Sequence, residues 1–508
     1  MIYELGSRET AWSVIQRMFV ESKAYREFLL ENSPKLAGAQ NLTKLPDKFE
    51  WDDVPVVTKS SFYSRYPFYD VIPESNRGRI YTYQRSSGTA ASRTNGGKAK
   101  GFFWPSLIES PEELTNGFAD IMAQMLSKAN GQVLFIVGLS LGSWAGGENI
   151  GFVSKLSAIG QTLPITVFSP GNQHDEIIEM IDFAHEQYDR IIIACCPSAI
   201  YYILKAAENA DVKLPMEKIS FMVTGEPFAE ELRLELHRMS GGNRKLPPMF
   251  SVYGSADSGF SGIESTHLIE LRQSLLRNPE IGEALELRPG SIPSFFHMYH
   301  RNQYFEVVNG ELVVTAWQGL PLVRYNLEDS VQFFAWKEIC DVMQRFAETD
   351  RQRKLWQFIA DQPWPGVAAV YGRSQGCLFL CGTNIFDSML EEVVMGSALL
   401  DEHITGHFVV WVDGTKTQQQ LHWQIELKNP SAANEPEFVD RIYYEFCESL
   451  GRLQPEFKED YDKLYSRART RDERVFQFHF SEPGVVEKHP KYHAGIKRRI
   501  IQDRGPLV

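Results

Sequence analysis

The chain of 508 residues contains little cysteine, no long hydrophobic run and no excess of positive charge. Its six cysteines are too few to form a disulfide framework in a chain of this length. Its most apolar runs, residues 133–141 and 191–196, are far shorter than the roughly 20 residues that cross a bilayer. The sequence therefore argues against a disulfide scaffold and predicts no attachment to a membrane.

Acidic residues outnumber basic ones, with 65 Asp and Glu against 52 Lys and Arg, so the formal net charge is −13. Affinity for a nucleic-acid backbone comes from Lys and Arg, and we therefore expect no nucleic-acid partner. A few local cations would still suffice to hold a small phosphorylated ligand. The first ten residues lack the basic start and apolar stretch of a signal peptide, which together with the sparse cysteine predicts a cytoplasmic protein.

The cysteines give no metal or redox signal. Cys377 and Cys381 lie four residues apart, but no second pair of Cys or His at zinc-site spacing accompanies them. Cys195 and Cys196 fall on a run predicted to be a buried strand, where thiols are commonly inert. We therefore expect these two cysteines to be part of the core.

The sequence does contain an alternation of short β-rich runs with helical stretches between residues 133 and 322. Strands separated by helices imply right-handed crossovers and a largely parallel sheet. The predicted strands are 132–137, 190–194, 219–223 and 249–253, and the predicted helices are 176–187, 198–208 and 229–239. The charged face of the last helix, over residues 230–237, is interpreted as exposed to solvent.

Two changes of pattern follow in the C-terminal part of the chain. Over residues 295–331 the hydrophobic pattern has a period of about two, which indicates antiparallel strands. The pattern of residues 336–358 is again that of a helix. A helix over 435–450 has an apolar stripe formed by Phe438, Ile442, Phe446 and Leu450. We predict an α/β protein whose large N-terminal domain, 1–372, has mostly parallel sheets flanked by helices plus a β subdomain. A small α+β C-terminal lid domain would span 373–508.

The sharpest local signal is a small, hydroxyl-rich segment formed by Ser86, Ser87, Gly88 and Thr89. Such a turn lets backbone N–H groups and hydroxyls approach phosphate oxygens closely. It is not a Walker loop, because no Gly-Lys-Ser or Gly-Lys-Thr follows at the required spacing. A polar surface loop has the same composition, so the segment alone leaves both interpretations open.

Two further segments lie at the ends of predicted strands, where doubly wound folds bind ligands, and they contain Gly225, Glu226 and Pro227, and Tyr253, Gly254 and Asp257. Segments with Asp329 and Arg373 come next along the chain. From residue 55 to the basic C-terminal segment, this ordered series resembles the adenylate-forming enzyme superfamily, and within it the phenylacetate–CoA ligase-like branch.

The resemblance implies a role for each matching residue. Ser86, Ser87, Gly88 and Thr89 would hold the β- and γ-phosphates of ATP, and Gly225, Glu226 and Pro227 would line the adenine pocket. Tyr253, followed by Gly254, would stack on adenine, Asp329 would bind the ribose hydroxyls, and Arg373 would precede the interdomain hinge. Asp257 stands where the family usually has a Mg²⁺-binding Glu, and Glu264 matches a further acidic residue.

The resemblance also assigns an acyl pocket and a catalytic cation. The glycine-rich stretch that includes Gly146 would form the wall of the acyl pocket, with Trp144 as a pocket aromatic; packing is the alternative interpretation of Trp144. In the C-terminal segment, the position of the family's catalytic lysine falls on Ile496, so the adjacent Lys497 is the candidate for that role, with Lys491 in reserve. A basic tail facing solvent has the same sequence.

Several motifs depart from the family pattern. The phosphate loop continues with Ala90-Ala91-Ser92-Arg93 in place of Thr-Gly-Lys-Pro, so Arg93 would have to replace the lysine. The hinge reads Arg373-Ser374-Gln375-Gly376 in place of Arg-x-Asp-Asp. These departures keep open a degenerate nucleotide-binding protein without enzymatic activity.

The resemblance implies an ATP-dependent ligase for an acyl or aryl carboxylic acid, which forms an acyl-adenylate and passes the acyl group to CoA. Mg²⁺ would neutralise charge on ATP during attack at the α-phosphate. An alternative enzyme delivers the acyl group to an amine or to a carrier protein. A homodimer is also considered, since dimers are common among oligomeric enzymes.

Overall fold

The computed structural model describes most of the chain. The described residues are 2–38, 42–85, 102–107, 117–123, 131–197, 199–225, 228, 230–242, 247–288, 292–299, 302–373, 377–380, 383–386, 389–390, 393–394, 403–415, 418–466, 468, 470–489 and 501. They fold into two compact units. The larger unit takes the described residues up to Cys196 and from Val212 to Arg373, and the smaller takes Pro197–Asp211 and those after 375.

In chain order, the strands are β1 Glu4–Leu5, β2 Ile80–Arg85, β3 Phe103–Leu107, β4 Val133–Val137, β5 Ile165–Phe168, β6 Arg190–Cys195, β7 Ile219–Val223, β8 Met249–Ser255, β9 Gly259–Ile263, β10 Ser294–Met298, β11 Gln303–Val308, β12 Glu311–Ala316, β13 Leu322–Phe334, β14 Val367–Arg373, β15 Cys377–Leu380, β16 Thr383–Phe386, β17 Ile404–Thr415, β18 Gln418–Leu427 and β19 Phe476–Ser481.

In the same order, the α-helices are α1 Arg8–Glu21, α2 Lys23–Asn32, α3 Phe68–Val71, α4 Glu74–Arg77, α5 Ala145–Ile159, α6 His174–Ala184, α7 Ala199–Asn209, α8 Glu230–Met239, α9 Thr266–Arg277, α10 Glu280–Ala284, α11 Trp336–Arg345, α12 Asp350–Ala360, α13 Pro436–Leu453 and α14 Pro455–Asp460. None of the helices in the described part of the chain has the length and apolarity of a membrane span.

A twelve-stranded sheet forms the centre of the larger unit, in the order β1-β11-β12-β13-β14-β10-β9-β8-β7-β6-β4-β5. The five strands from β8 to β5 are parallel, as the alternation of strands and helices predicted. Their side chains are buried on both faces because helices cover the sheet, which explains runs such as the fully buried β4 and β7. The α/β class is confirmed.

From β8 onward the same sheet continues with antiparallel pairs. The predicted β subdomain is therefore continuous with the parallel strands. The predicted return to helix over 336–358 is confirmed, although the range is divided between two separate helices, α11 and α12. Thr349 explains the break: its side chain accepts a hydrogen bond from the Gln352 amide, which starts α12 with a capping box.

The smaller unit contains the sheet β17-β18-β19, the pair β15-β16 and helices α7, α13 and α14. Trp423 of β18 is fully buried there, with ring centroids 4.7 Å from Phe446 and 5.8 Å from Phe476. The predicted apolar stripe of α13 is confirmed as core, since its four residues Phe438, Ile442, Phe446 and Leu450 are all buried. The division after residue 374 lies close to the expected boundary at 372–373, whereas residues 197–211 had been expected in the N-terminal domain.

A buried histidine in the larger unit makes stability depend on pH. His297 of β10 is fully buried, its ring stacks on Trp364 at 4.5 Å, and Ser265 Oγ lies 3.0 Å from its Nε2. Burial lowers the pKa of His297 from 6.5 to about 3, so the ring stays neutral while the unfolded chain takes up a proton. The unfolded state therefore binds more protons between those two values, and stability falls as the pH falls below 6.5.

We expect the free energy of unfolding to fall by about 2 kcal/mol between pH 7 and pH 5 through His297 alone. The His297→Gln variant removes this titration and should show a pH dependence flatter by that amount. Urea unfolding at both pH values, followed by tryptophan fluorescence, measures the difference. Equal pH dependences in the two proteins would contradict the assignment.

Candidate active site

Two tyrosine–carboxylate contacts join the end of β8 to strand β13. Tyr253 Oη donates to Asp329 Oδ2 at 2.5 Å, and Tyr325 Oη donates to Asp257 Oδ2 at 2.5 Å. Each of the two segments thus contributes one phenol and one carboxylate, four residues apart. The first contact joins Tyr253 to Asp329, two predicted site residues that lie 76 residues apart in the sequence.

The chain around β8 is shaped to bring Tyr253 to this position. Its ring stacks on Phe296 at 5.2 Å, which supports one side of the phenol. Gly254 follows, and a Cβ atom there would lie 2.5 Å from the carbonyl oxygen of Gly259. A side chain at 254 would therefore force β8 and β9 apart, so the Tyr-Gly pair has a steric reason at this position.

Asp329 lies on an irregular part of β13. Glu328, immediately before it, has a left-handed backbone with φ 60°, which is uncommon for a residue with a side chain. The Asn326 side chain accepts a hydrogen bond from the Glu328 amide at 2.7 Å and stabilises this turn. The backbone of Asp329 pairs with that of Arg373, and the register of β13 and β14 shifts between Ser330 and Val331. Local strain of this kind is concentrated at functional sites.

Lys59 is a candidate site residue that the sequence analysis did not identify. Its Nζ lies 3.4 Å from Asp257 Oδ2, and the Lys59 side chain is only 7% exposed. The Nζ atom also lies 5.6 Å from the centroid of the Trp104 ring and 5.9 Å from that of Phe102. The resemblance begins at residue 55, four residues before Lys59, but it gave Lys59 no role, and the contact of Lys59 with Asp257 depends on the tertiary fold.

The geometry around Asp257 does not fit a resident Mg²⁺ ion. Mg²⁺ requires oxygen ligands at about 2.0–2.1 Å in near-octahedral geometry. The Oδ2 atom of Asp257 instead accepts Tyr325 and faces the Lys59 ammonium. No group of three His, Cys, Asp or Glu side chains within the described ranges is arranged to hold a metal. We therefore derive no step from a metal bound at Asp257.

A network of four buried charges lies behind the β8 end of the site. Arg233 Nη1 donates to both carboxylate oxygens of Glu230 at 2.9 Å, and its Nη2 donates to Glu264 Oε2 at 2.5 Å. Arg272 forms a further ion pair with Glu230 at 3.4 Å. Burial raises the pKa of Glu230, against the opposing effect of the two guanidinium groups. The interpretation of the 230–237 face as exposed is wrong, because Glu230 and Arg233 are 2% and 1% exposed.

This network holds backbone on both sides of the site. Glu264 Oε2 accepts a hydrogen bond from the Ser251 amide at 3.1 Å, two residues before Tyr253. Arg272 Nη2 donates at 2.5 Å to the carbonyl of Phe228, close after Gly225 on the neighbouring strand end. The exposed Gly225 has φ 91°, a conformation that favours glycine, whereas Glu226 and Pro227 lie outside the described residues.

The remaining predicted residues are placed only in part. Ser86, Ser87, Gly88, Thr89, Arg93 and Lys497 lie outside the described residues, and of Arg373 only the backbone is described. The phosphate-loop segment connects the antiparallel pair β2 and β3, and Trp104 of β3 lies 5.9 Å from Tyr325 between ring centroids. The hairpin that carries the segment therefore packs beside the contact between Tyr325 and Asp257.

The predicted acyl-pocket residues lie at the start of α5. Trp144 is the N-cap residue of this helix, forms an isolated bridge with Arg85, and lies 5.3 Å from the Arg85 guanidinium. Gly146 is exposed in the first turn. Trp144 is thus attached to the last residue of β2, directly before the phosphate-loop segment. Of the predicted core cysteines, Cys195 is fully buried and Cys196 is half-buried.

No protein-family model matches the sequence, and no curated sequence matches it. Among solved structures, the chain is similar to 2-hydroxyisobutyryl-CoA ligase in complex with 2-HIB-AMP and CoA in the thioesterification state. The likeness covers 98% of this chain and 90% of that one, with 13% identity and a TM-score of 0.51. The same ligase in the postadenylation state with 2-HIB-AMP gives a TM-score of 0.46 at 13% identity, over 99% and 91% of the two chains.

A GH3 acyl acid amido synthetase in complex with 2,4-DB covers 98% of this chain and 92% of its own, with 14% identity and a TM-score of 0.43. Of the three scores only the first exceeds 0.5, and at 13% identity it shows a shared fold alone. That likeness extends over nearly the whole of both chains. The chain therefore shares its fold with this CoA ligase, as the resemblance to the adenylate-forming superfamily led us to expect.

Proposed function

We propose that this protein is an ATP-dependent carboxylic acid ligase that forms an acyl-adenylate and releases pyrophosphate. The observation that carries the proposal is the hydrogen bond of 2.5 Å between Tyr253 and Asp329. The resemblance implies that Tyr253 stacks on the base and that Asp329 binds the ribose of the same nucleotide. Two residues that bind one nucleoside in this way must lie close together. The fold shared with a ligase whose structure contains an acyl-adenylate supports the same conclusion.

In the proposed complex, Tyr253 offers the ring face not covered by Phe296 as a platform for adenine, and Asp329 accepts hydrogen bonds from the ribose hydroxyls. Gly225 and the following Glu226 and Pro227 line the edge of the base. Aromatic stacking and a carboxylate bound to a vicinal diol give the site its preference for a ribonucleotide. The backbone pairing of Asp329 with Arg373 on β14 fixes its position.

The phosphates of ATP would be held by Ser86, Ser87, Gly88 and Thr89, with Arg93 as the cation of this loop. The position of the β2–β3 hairpin beside Tyr325 supports this assignment. The acid would bind near Trp144 and Gly146, which follow directly on Arg85 in space. The proposed acid site and the proposed phosphate loop must lie close together, because the carboxylate attacks the α-phosphate directly. Mg²⁺ would enter with ATP.

In the second half-reaction we propose that CoA accepts the acyl group, with the smaller unit acting as the lid and Lys497 as its cation. Separate half-reactions in one site call for such a movable domain. The likeness to a CoA ligase supports CoA over an amine or a carrier protein as the acceptor. Arylacetic acids are the first substrates to test, because the sequence resembles the phenylacetate–CoA ligase-like branch. A cytoplasmic location and a homodimer remain predictions of the sequence.

The proposal is tested by pyrophosphate exchange, in which labelled pyrophosphate is incorporated into ATP only when an acid is adenylated. We expect exchange that depends on the acid across a panel of aryl and short acyl acids, and thioester formation when CoA is added. Amide formation with an amine, or acylation of a carrier protein, would move the acceptor to that class. Binding of ATP by calorimetry without exchange for any acid would favour the degenerate nucleotide-binding protein.

A further inference from the structure

Lys59 has an unusual environment for a lysine. Its side chain is 7% exposed, it lies beside the rings of Phe102 and Trp104, and the side chain of Asp257 that faces it is 11% exposed. Lysines are rarely buried unless they are paired, because transfer of an ammonium group out of water costs several kcal/mol. A buried pair of this kind adds little stability over apolar residues of similar volume. Fold stability alone therefore does not account for the pair.

The backbone holds Lys59 firmly at the nucleotide end of the sheet. The amide of Val57 donates to the carbonyl of Arg324 at 3.0 Å, and the amide of Asn326 donates to the carbonyl of Val57 at 2.8 Å. Thr58 then caps the turn that begins at Lys59. Lys59 is thus attached to β13, the strand that also carries Tyr325 and Asp329.

These contacts place the ammonium group where the family resemblance put a metal ion. Lys59 Nζ and Tyr325 Oη both face Oδ2 of Asp257. A divalent ion on that oxygen would lie within a few ångströms of the ammonium charge, in surroundings that screen charge poorly. The two cations exclude one another, and Lys59 is the one that the polypeptide supplies.

We propose that Lys59 is the resident cation of this site, in the position at Asp257 that the resemblance gave to Mg²⁺, and that it faces an anionic oxygen of the reactants. That oxygen belongs to the carboxylate of the acid or to the α-phosphate of ATP, an assignment that rests on the proposed function. An ammonium group is a compact point charge with three donors, suited to either oxygen. Asp257, itself bound by Tyr325, acts as the positioning residue that holds the ammonium in place.

The metal half of the proposal is tested without catalysis, by Mn²⁺ binding to the nucleotide-free protein measured by electron paramagnetic resonance. The wild type should show no binding that depends on Asp257. Lys59→Met removes the charge at similar length and should raise Mn²⁺ affinity at least tenfold, and adding Asp257→Asn should abolish the gain. Lys59→Arg keeps the charge and should continue to exclude Mn²⁺. Binding in the wild type that Asp257→Asn removes, or no gain in a folded Lys59→Met variant, would overturn the metal half.

The anion half is tested by pyrophosphate exchange and by calorimetry with ATP. Lys59→Met should lower kcat/KM for exchange by about 100-fold or more, the usual loss when a charge-stabilising group is removed from a reaction centre. A raised KM for the acid with unchanged ATP affinity assigns Lys59 to the carboxylate, whereas weakened ATP binding assigns it to the α-phosphate. The exposed Lys44→Met is the matched control and should leave exchange unchanged.

The failures of the two proposals are distinguishable. Absence of exchange in the wild type counts against the proposed function and leaves the Mn²⁺ experiment to decide on Lys59. Exchange in the wild type together with unchanged exchange in Lys59→Met overturns the anion half of the inference and leaves the proposed function intact.

Discussion

Replacement of Arg233 by methionine is expected to lower the free energy of unfolding by about 3–5 kcal/mol, because it leaves two buried carboxylates without their shared counterion. Arg233 is 1% exposed and binds both Glu230 and Glu264. Methionine fills most of the volume, so the loss reports the charge and its hydrogen bonds. With Arg233 gone, the pKa of Glu230, which burial already raises, should rise further.

Urea unfolding measures this loss, and Arg238→Met on the same helix is its matched control. Arg238 pairs with Glu235 at 2.6 Å, but its side chain is 70% exposed, so water screens the pair. The control should cost less than about 1 kcal/mol. If the two variants were equally stable, the buried network would not be what holds the strand ends.

Replacement of Asp329 by alanine is expected to weaken ATP binding by roughly 10–150-fold, the factor that corresponds to about 1.5–3 kcal/mol for hydrogen bonds to a charged group. The carboxylate is the proposed acceptor for the ribose hydroxyls, and no other group of the proposed complex takes that role. Calorimetric titration with ATP measures the change.

Two controls keep the Asp329 experiment specific. Asp47→Ala removes a carboxylate that is 95% exposed and should leave ATP affinity unchanged. The wild type should bind deoxy-ATP, which lacks the 2′-hydroxyl, more weakly than ATP. The Asp329→Ala variant should bind ATP and deoxy-ATP with nearly equal affinity. Unchanged ATP affinity in a folded Asp329→Ala protein would remove the nucleotide from this site.

The parts of the fold set by local patterns were predictable from the sequence. Strand β7 was predicted at its observed bounds, because a run of five apolar-rich residues between helical stretches is typical of a strand buried on both faces of a parallel sheet. The apolar stripe of α13 was predicted for a similar reason, since its helical spacing marks one face. Tyr253 and Asp329 were predicted as site residues through short motifs whose order along the chain resembles that of a known family.

The parts that depend on tertiary contacts were missed. Arg233 has the spacing of an ordinary exposed ion pair with Glu230, but in the fold it is buried and also binds Glu264, which lies 31 residues away in the sequence. Lys59 meets Asp257 because residue 57 docks on β13, a pairing that no local pattern encodes. The break between α11 and α12 was the exception, because Thr349 and Gln352 form a capping box visible in the sequence.

The hydrogen bond between Tyr253 and Asp329 also affects how binding energies combine. The group proposed to read the base and the group proposed to read the sugar are joined in the protein before any ligand arrives. Loss of either side chain therefore also releases the other from its present position. The losses of ATP-binding free energy in the two single variants should therefore not be additive. Once one partner is removed, removal of the second should cost less binding free energy than it does alone. Base and ribose would then be recognised as one cooperative unit.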